Sequence, residues 1–136
     1  MTRLTGACLC GGVCFEVTEP FEHVGACHCE SCKKISGGGA TVSGRVPTEA
    51  VRILEGHDLL TTFQPAEGSA KTFCSRCGTN LFGGGWPEAP FTPVRLPALD
   101  EPYPGRLEAH IFTRSLAPWE VLPEDGAERH EGRRPA

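Results

Sequence analysis

The sequence predicts a mainly β fold with long loops rich in glycine and proline. Its 136 residues include 17 glycines and 12 prolines, which separate many short runs of strand-forming residues. No window shows the apolar period of a convincing amphipathic helix. Seven of the eight cysteines fall into three tight clusters. A small β-rich core with clustered cysteines is typical of a fold that bound metal reinforces.

The first predicted strand is Val13–Val17, where apolar residues alternate with Cys14 and Glu16. This period of two indicates a strand with one buried face. Cys14 lies on the opposite face, and we interpret it as a spare reduced thiol rather than a metal ligand. Further short runs are predicted as strands: Ala40–Val46, Val51–Leu54, Leu59–Gln64, Lys71–Phe73, Asn80–Phe82 and His110–Thr113.

The length suits one domain, and we predict a single zinc-binding β domain over residues 1–122. Glycine and proline dominate residues 83–105, which we interpret as a loop or a strand-poor excursion. Residues 123–136 have almost no apolar content. We therefore expect them to form a flexible C-terminal tail.

The charge pattern argues against nucleic acid as a partner. The formal net charge is −4, and the chain lacks the basic patch on which nucleic-acid binding depends. No apolar stretch approaches the length of a membrane span, and the N-terminus has no apolar segment of the kind found in signal peptides. We expect a cytoplasmic protein, in which clustered cysteines bind metal more often than they form disulfides. In a secreted protein they would form a disulfide framework, and the zinc interpretation would fail.

The cysteine spacings are C-x-C, C-H-C-x-x-C and C-x-x-C. Soft thiolates at these spacings are typical ligands of tetrahedral zinc. Four ligands make a closed structural site, whereas three leave one coordination position free. Seven clustered cysteines therefore predict one zinc site of each kind.

Two separated cysteine pairs commonly complete one closed site, and this predicts a structural zinc held by Cys8, Cys10, Cys74 and Cys77. A glycine follows the second cysteine of each pair, where the backbone must turn toward sulfur. A redox pair is an alternative interpretation of Cys74 and Cys77. Such a pair opens a helix in a βαβ unit, and none is visible in the sequence.

The remaining cysteines, Cys27, Cys29 and Cys32, can share a metal that keeps a fourth position for water, a substrate thiol or another side chain. We expect Lys33 and Lys34 to offset the negative charge of this site. A solvated turn is the alternative reading of both lysines.

Two histidines are further candidates at this site. His28 lies between two predicted ligands, and we expect its side chain to point away from the metal. His110 either borders the site or is a satisfied histidine at a sheet edge, and we favour the second interpretation.

Four segments together resemble the glutathione-dependent formaldehyde-activating enzyme family, also called the centromere-protein-V-like family. The likeness runs from about Gly6 to Trp119, with all three cysteine spacings in the same order. It is carried by these segments: Gly6–Val17, Cys27–Gly37, Phe73–Thr79 and His110–Trp119.

The resemblance implies an Mss4-like, zinc-stapled β-sheet architecture and two zinc ions. It implies that the C-x-C and C-x-x-C pairs hold a structural zinc, and that Cys27, Cys29 and Cys32 hold a catalytic zinc. The implied activity is that of a carbon-sulfur lyase, which joins glutathione and formaldehyde to give S-(hydroxymethyl)glutathione. Two alternatives stay open: a related enzyme acting on another thiol, and a non-catalytic, zinc-stabilised binding module.

The implied substrate would need cationic contacts, because glutathione has two carboxylates. We expect Lys33, Lys34 and Arg45 to orient it. The glycine run at residues 37–39 would let a peptide-like ligand approach the backbone.

Overall fold

Strands dominate the computed structural model, which describes residues 3–135 and confirms the mainly β fold. Residues 1, 2 and 136, at the ends of the predicted domain and tail, lie outside the described residues. The strands are β1 (Leu4–Ala7), β2 (Cys14–Val17), β3 (His23–Cys27), β4 (Thr41–Pro47), β5 (Val51–Glu55), β6 (Leu60–Phe63), β7 (Lys71–Cys74), β8 (Asn80–Gly83), β9 (Phe91–Arg95), β10 (Ala109–Ile111) and β11 (Glu128–Arg129). The α-helix α1 is Glu30–Ser36, and short 3-10 helices are Thr48–Ala50, His57–Leu59, Leu96–Ala98 and Thr113–Ser115.

The strands form two sheets. The smaller sheet has the order β1-β2-β5, and the larger has the order β11-β10-β3-β4-β9-β8-β7-β6. Strand β10 runs parallel to both β3 and β11, whereas the other paired neighbours are antiparallel.

The core lies between the two sheets. Val13, Phe15 and Val17 are completely buried, which confirms the buried face predicted from their alternation. The ring of Phe15 packs edge to face against Phe82 of the larger sheet, with ring centroids 5.3 Å apart. Edge-to-face aromatic pairs stabilise a core beyond the area they bury.

The segment predicted to be poor in strands, residues 83–105, contains strand β9. Pro93 lies in the middle of β9, although proline lacks the N–H that a central strand normally donates. Strand β8 pairs with β9 only between Phe82 and Val94. The hydrogen-bond ladder between β8 and β9 is therefore short, and β9 tolerates the absence of an N–H donor at Pro93.

Helix α1 contradicts our expectation that the chain has no convincing helix. It has only seven residues, too few for a periodic apolar pattern to be recognised. Glu30 in its first turn and Lys33 and Lys34 in its last turn suit the helix dipole. The helix ends at Gly37, which has φ 71° and donates its N–H to the Lys33 carbonyl. Within residues 3–135, no helix is long and apolar enough to cross a membrane.

The segment after residue 122 contributes the two-residue strand β11 to the larger sheet. Arg134 adds ion pairs to Glu108, at 3.2 Å, and to Glu128, at 3.1 Å. Such exposed pairs stabilise little individually. The flexibility of this segment in solution stays a prediction.

Candidate metal centres

The four-cysteine cluster, formed by Cys8, Cys10, Cys74 and Cys77, lies where the two sheets meet. Its first pair stands in the turn between β1 and β2, and its second pair spans the end of β7 and the turn to β8. All four sulfur atoms lie within 4.8 Å of one another. The cluster therefore connects the smaller sheet to the larger one.

The sulfur spacing fits a tetrahedral metal. Zinc–sulfur bonds of about 2.3 Å place neighbouring sulfurs about 3.8 Å apart on a tetrahedron. The observed separations are 3.5 Å between Cys8 and Cys10 and 3.9 Å between Cys10 and Cys74. None of the cysteines is in a disulfide, so every sulfur is free to bind a metal.

The turns around these cysteines direct backbone groups toward sulfur, as the sequence predicts. Gly11 and Gly78 have φ values of 77° and 80°, in the left-handed region that glycine adopts without strain. The Val13 amide donates a hydrogen bond to Cys8 Sγ at 3.2 Å. Such bonds to sulfur orient and stabilise thiolate ligands.

Two side chains donate further hydrogen bonds to this cluster. Arg76 Nε lies 3.3 Å from Cys10 Sγ. The Thr79 hydroxyl lies 3.2 Å from Cys77 Sγ, and its hydrogen bond lowers the pKa of Cys77 to about 5. A thiol with so low a pKa is mostly thiolate at neutral pH, which is the form that binds metal.

The three-cysteine cluster is formed by Cys27, Cys29 and Cys32, whose sulfur atoms also lie within 4.8 Å of one another. Cys27 ends β3, Cys29 immediately precedes α1, and Cys32 lies within the helix. The helix that the sequence analysis missed therefore brings the third sulfur back toward the first two. Hydrogen bonding between Cys27 and Cys32 lowers the pKa of Cys32 to about 5 and raises the pKa of Cys27.

The side chain of Thr41 shows whether the residues beside this cluster fit a metal-bound thiolate. It pairs with Cys27 in the register of β3 and β4. Its hydroxyl contributes to the low pKa of Cys32. Yet Thr41 Oγ1 is the one buried side-chain oxygen or nitrogen of residues 3–135 that has no partner of normal hydrogen-bond geometry. A hydroxyl donor in this position fits a metal-bound thiolate, so the residues present fit the metal.

Lys33 and Lys34, which we expected to offset the charge of this site, both pair with carboxylates. Lys33 pairs with Glu120 at 3.4 Å, and Lys34 pairs with Glu30 at 3.2 Å on the exposed face of α1. Arg45, the third cation expected near the substrate, stacks on the Phe91 ring at 3.9 Å.

The buried cations beside the cluster are instead Lys71 and Arg95. Sequence reasoning missed both, because Lys71 begins a predicted strand too short to show alternation, and Arg95 lies in the segment predicted to be poor in strands. Arg95 stands between Val94 and Leu96, and this apolar context was the only available signal of its burial.

His28 and His110 form a buried chain of hydrogen bonds. His110 pairs with Ala26 across β3 and β10, which places it on the same face as His28. His28 Nε2 lies 2.9 Å from His110 Nδ1, and His110 Nε2 lies 2.8 Å from Asp125 Oδ2. His28 Nδ1 lies 2.9 Å from the Gly39 carbonyl oxygen.

Both ends of this hydrogen-bond chain are acceptors, the Gly39 carbonyl oxygen and the Asp125 carboxylate. Burial lowers the pKa of His28. The hydrogen bond from His110 lowers the pKa of Asp125. Both nitrogens of His28 are thus occupied, and it is not available as a metal ligand, in line with our expectation that it points away.

His110 has both ring nitrogens satisfied, as we favoured, but it does not lie at a sheet edge. Strand β11 continues the sheet beyond β10. The partner of His110, Asp125, belongs to the segment predicted as a flexible tail, and for this reason the contact could not be predicted.

A cleft of about 260 Å³ lies beside α1 and is lined by Ser31, Lys34, Ile35, Phe63, Pro65 and Lys71. Ser31 Oγ lies 3.5 Å from Cys29 Sγ, so the cleft adjoins the three-cysteine cluster. A larger cleft of about 440 Å³ is lined mainly by apolar residues, none of which forms a side-chain hydrogen bond with either cysteine cluster. We therefore place the candidate substrate site in the smaller cleft.

Two sheets joined by one cysteine cluster, with a second cluster at the start of a short helix, define a β protein with two candidate metal centres. The family model described as glutathione-dependent formaldehyde-activating enzyme matches residues 3–115. The chain belongs to this family, which confirms the resemblance seen in the sequence.

Curated relatives with the name putative glutathione-dependent formaldehyde-activating enzyme share part of the chain. The protein from Talaromyces marneffei is 35% identical over 69 residues, which cover 51% of this chain and 37% of the relative. Those from Aspergillus flavus and Aspergillus oryzae are each 33% identical over 78 residues, which cover 56% of this chain and 41% of the relative. The matched part of the chain thus spans about two fifths of each relative.

A solved structure of a Rhodobacter sphaeroides protein has a similar fold. The TM-score is 0.59 and the sequence identity is 22%, and the match covers 76% of this chain and 96% of the other. This likeness supports the β architecture.

Proposed function

We propose that this protein is a zinc-dependent carbon-sulfur lyase that joins glutathione and formaldehyde to give S-(hydroxymethyl)glutathione. In this proposal Cys27, Cys29 and Cys32 hold the catalytic zinc, and the four-cysteine cluster holds a structural zinc. The observation that carries the proposal is the convergence of only three sulfurs, beside a cleft, in a chain of this family. Three protein ligands are the number that leaves a catalytic zinc one open position.

The reaction adds a thiol to an aldehyde without oxidation or reduction. A bond forms between sulfur and the carbonyl carbon, the carbon–oxygen π bond breaks, and the thiol proton ends on the new hydroxyl oxygen. Bound zinc would supply Lewis acidity, which lowers the pKa of a thiol and polarises a carbonyl oxygen.

The residues around the cluster orient and shield the reacting groups. Ser31 lies between the cleft and Cys29, where its hydroxyl accepts a hydrogen bond from Lys71 at 3.1 Å. The exposed Phe63 and the neighbouring Pro65 give the cleft an apolar wall. Lys34 stands at the same cleft and can exchange its exposed partner Glu30 for a substrate carboxylate.

Exchange between free formaldehyde and the S-hydroxymethyl adduct tests this activity. In an equilibrated mixture with glutathione, the zinc-loaded protein should raise the exchange rate above the spontaneous rate, as measured by two-dimensional exchange NMR. Cys29→Ser should return the rate to the spontaneous value, because it removes a ligand of the open site. Cys14→Ser is the matched control and should keep the wild-type rate.

Replacing glutathione with S-methylglutathione, which cannot form a thiolate, should abolish the reaction. A spontaneous rate at full zinc occupancy would show that the glutathione–formaldehyde assignment is wrong. The same assay with other thiols would then separate a related enzyme from a non-catalytic binding module.

Metal content gives a separate prediction. The reduced wild-type protein should hold two zinc ions per chain by elemental analysis, because its sulfurs divide into groups of four and three. Cys14 lies outside both groups, so Cys14→Ser should also hold two. Iron in place of zinc, or no metal after reconstitution, would contradict the proposal.

We also propose a cytoplasmic location. All eight cysteines are free of disulfides, and thiols persist in a reducing compartment. Such a compartment is also where a reaction of free glutathione would take place.

A further inference from the structure

Two cations are buried near the three-cysteine cluster without a carboxylate partner. Lys71 is 2% exposed and Arg95 is 6% exposed. The ion pairs formed within residues 3–135 include neither side chain. Burying a charge is costly unless an opposite charge compensates it. The cluster of thiols is the source of negative charge that both cations share.

Lys71 is connected to the cluster through a single hydroxyl group. Its Nζ donates to the Ser69 carbonyl oxygen at 2.8 Å and to Ser31 Oγ at 3.1 Å. Ser31 Oγ in turn lies 3.5 Å from Cys29 Sγ. The ammonium therefore stands one hydrogen-bonded hydroxyl away from a sulfur of the cluster, at the wall of the adjoining cleft.

Arg95 approaches the cluster from the strands beneath it. Its Nε donates to Asn80 Oδ1 at 2.7 Å and its Nη1 donates to Ser43 Oγ at 2.8 Å, and both acceptors are neutral. Ser43 is two residues from Thr41 on β4, so it faces the same side as Thr41 and its strand partner Cys27. Burial lowers the pKa of Arg95, and the three cysteines of the cluster oppose this shift.

The balance of charge depends on what occupies the fourth metal position. Three thiolates on a divalent zinc carry one net negative charge, and two buried cations outweigh it. A neutral fourth ligand such as water leaves one positive charge uncompensated, whereas an anionic thiolate brings the sum to zero. The nearby pair Lys33–Glu120 contains both signs of charge, and Asp125, hydrogen-bonded to His110, is partly exposed to solvent, so neither alters this difference between the two kinds of fourth ligand.

We propose that Lys71 and Arg95 are positioning residues that supply the counter-charge of the three-cysteine centre and make an anionic thiolate its preferred fourth ligand. This inference rests on the proposed function, because it takes Cys27, Cys29 and Cys32 as metal ligands. The two cations thereby determine ligand specificity without touching the metal.

Ligand titrations of the whole 136-residue chain loaded with cobalt(II) test this role. Absorption spectra would give affinities for 2-mercaptoethanol, which binds as a thiolate and has no carboxylate, and for imidazole, which binds as a neutral ligand. Lys71→Met and Arg95→Met should each weaken 2-mercaptoethanol binding by about tenfold or more, equivalent to about 1.4 kcal/mol. The affinity for imidazole should change by less than about threefold, which corresponds to less than half of that binding free energy.

Two variants serve as controls. Arg52→Met removes an exposed charge from β5 of the smaller sheet and should leave both affinities within about threefold of wild type, since exposed charges are screened. Arg95→Lys keeps the charge and should also retain thiolate binding. If Arg95→Met does not fold, thiolate binding by Arg95→Lys decides whether the charge of Arg95 has this role.

Several results would overturn the inference. One is thiolate binding by Lys71→Met that equals that of Arg52→Met, and another is an equal loss of thiolate and imidazole binding. A tenfold loss in Arg95→Lys would exclude a role for its charge. If the wild-type centre binds cobalt but no thiol, both the inference and the proposed function fail. If wild type binds thiol and neither neutral variant weakens it, only the inference fails.

Discussion

Cys74→Ser should leave the purified protein largely unfolded, with neither zinc ion retained. Cys74 is completely buried and belongs to the cluster that connects the two sheets. Structural zinc binding is worth about 10–16 kcal/mol in zinc-finger peptides, whereas a domain is stable by only about 5–15 kcal/mol. Losing this site should therefore remove most of the free energy of folding. Amide dispersion in NMR spectra and elemental analysis would measure the two effects.

Cys29→Ser is the matched comparison, because it removes one cysteine from the other cluster. Cys29 lies in the segment between β3 and α1 and joins no strand to another sheet. The variant should keep a folded spectrum and one zinc ion per chain. Equal losses of melting temperature in the two variants would contradict the division into a structural and an open site.

Gly56→Ala should be among the most destabilising single substitutions outside the cysteines. Gly56 has φ 80°, and an added Cβ would overlap the carbonyl group of Gly12, whose carbon would lie 2.8 Å away. The left-handed conformation costs an L-residue about 1–2 kcal/mol, and overpacking adds about 1–3 kcal/mol or more. A thermal melt should show a decrease of about 10 °C, from roughly 4 °C per kcal/mol at this size.

Gly126→Ala separates the cost of the left-handed backbone conformation from the cost of overpacking. Gly126 has φ 75°, but no atom lies within 4 Å of an added Cβ. Only the conformational cost applies, so its melting temperature should fall by about 4–8 °C. If both variants lose the same stability, the close approach of Gly56 to Gly12 is not what restricts that position.

The grouping of the cysteines could be predicted because it depends on ligand number and spacing, both of which are explicit in the sequence. Strand β2 could also be predicted, because Val13, Phe15 and Val17 alternate along the segment, although Glu16 on the opposite face is buried as well. Helix α1 could not be predicted. Its two turns are stabilised by Gly37 at their end and by packing against the rest of the protein, and they have no continuous apolar face that the sequence would reveal. Asp125, Lys71 and Arg95 were missed because their roles arise from contacts between residues far apart in sequence.

Cadmium NMR of the metal-substituted protein tests the difference between the two centres most directly. Two cadmium resonances should appear, because each cluster surrounds its metal with a different number of sulfurs. Adding glutathione should shift only one of them, toward the position of the four-sulfur site, and this response should be absent in Cys29→Ser. Two resonances that both keep their chemical shifts when glutathione is added would contradict an open, thiol-binding centre at Cys27, Cys29 and Cys32.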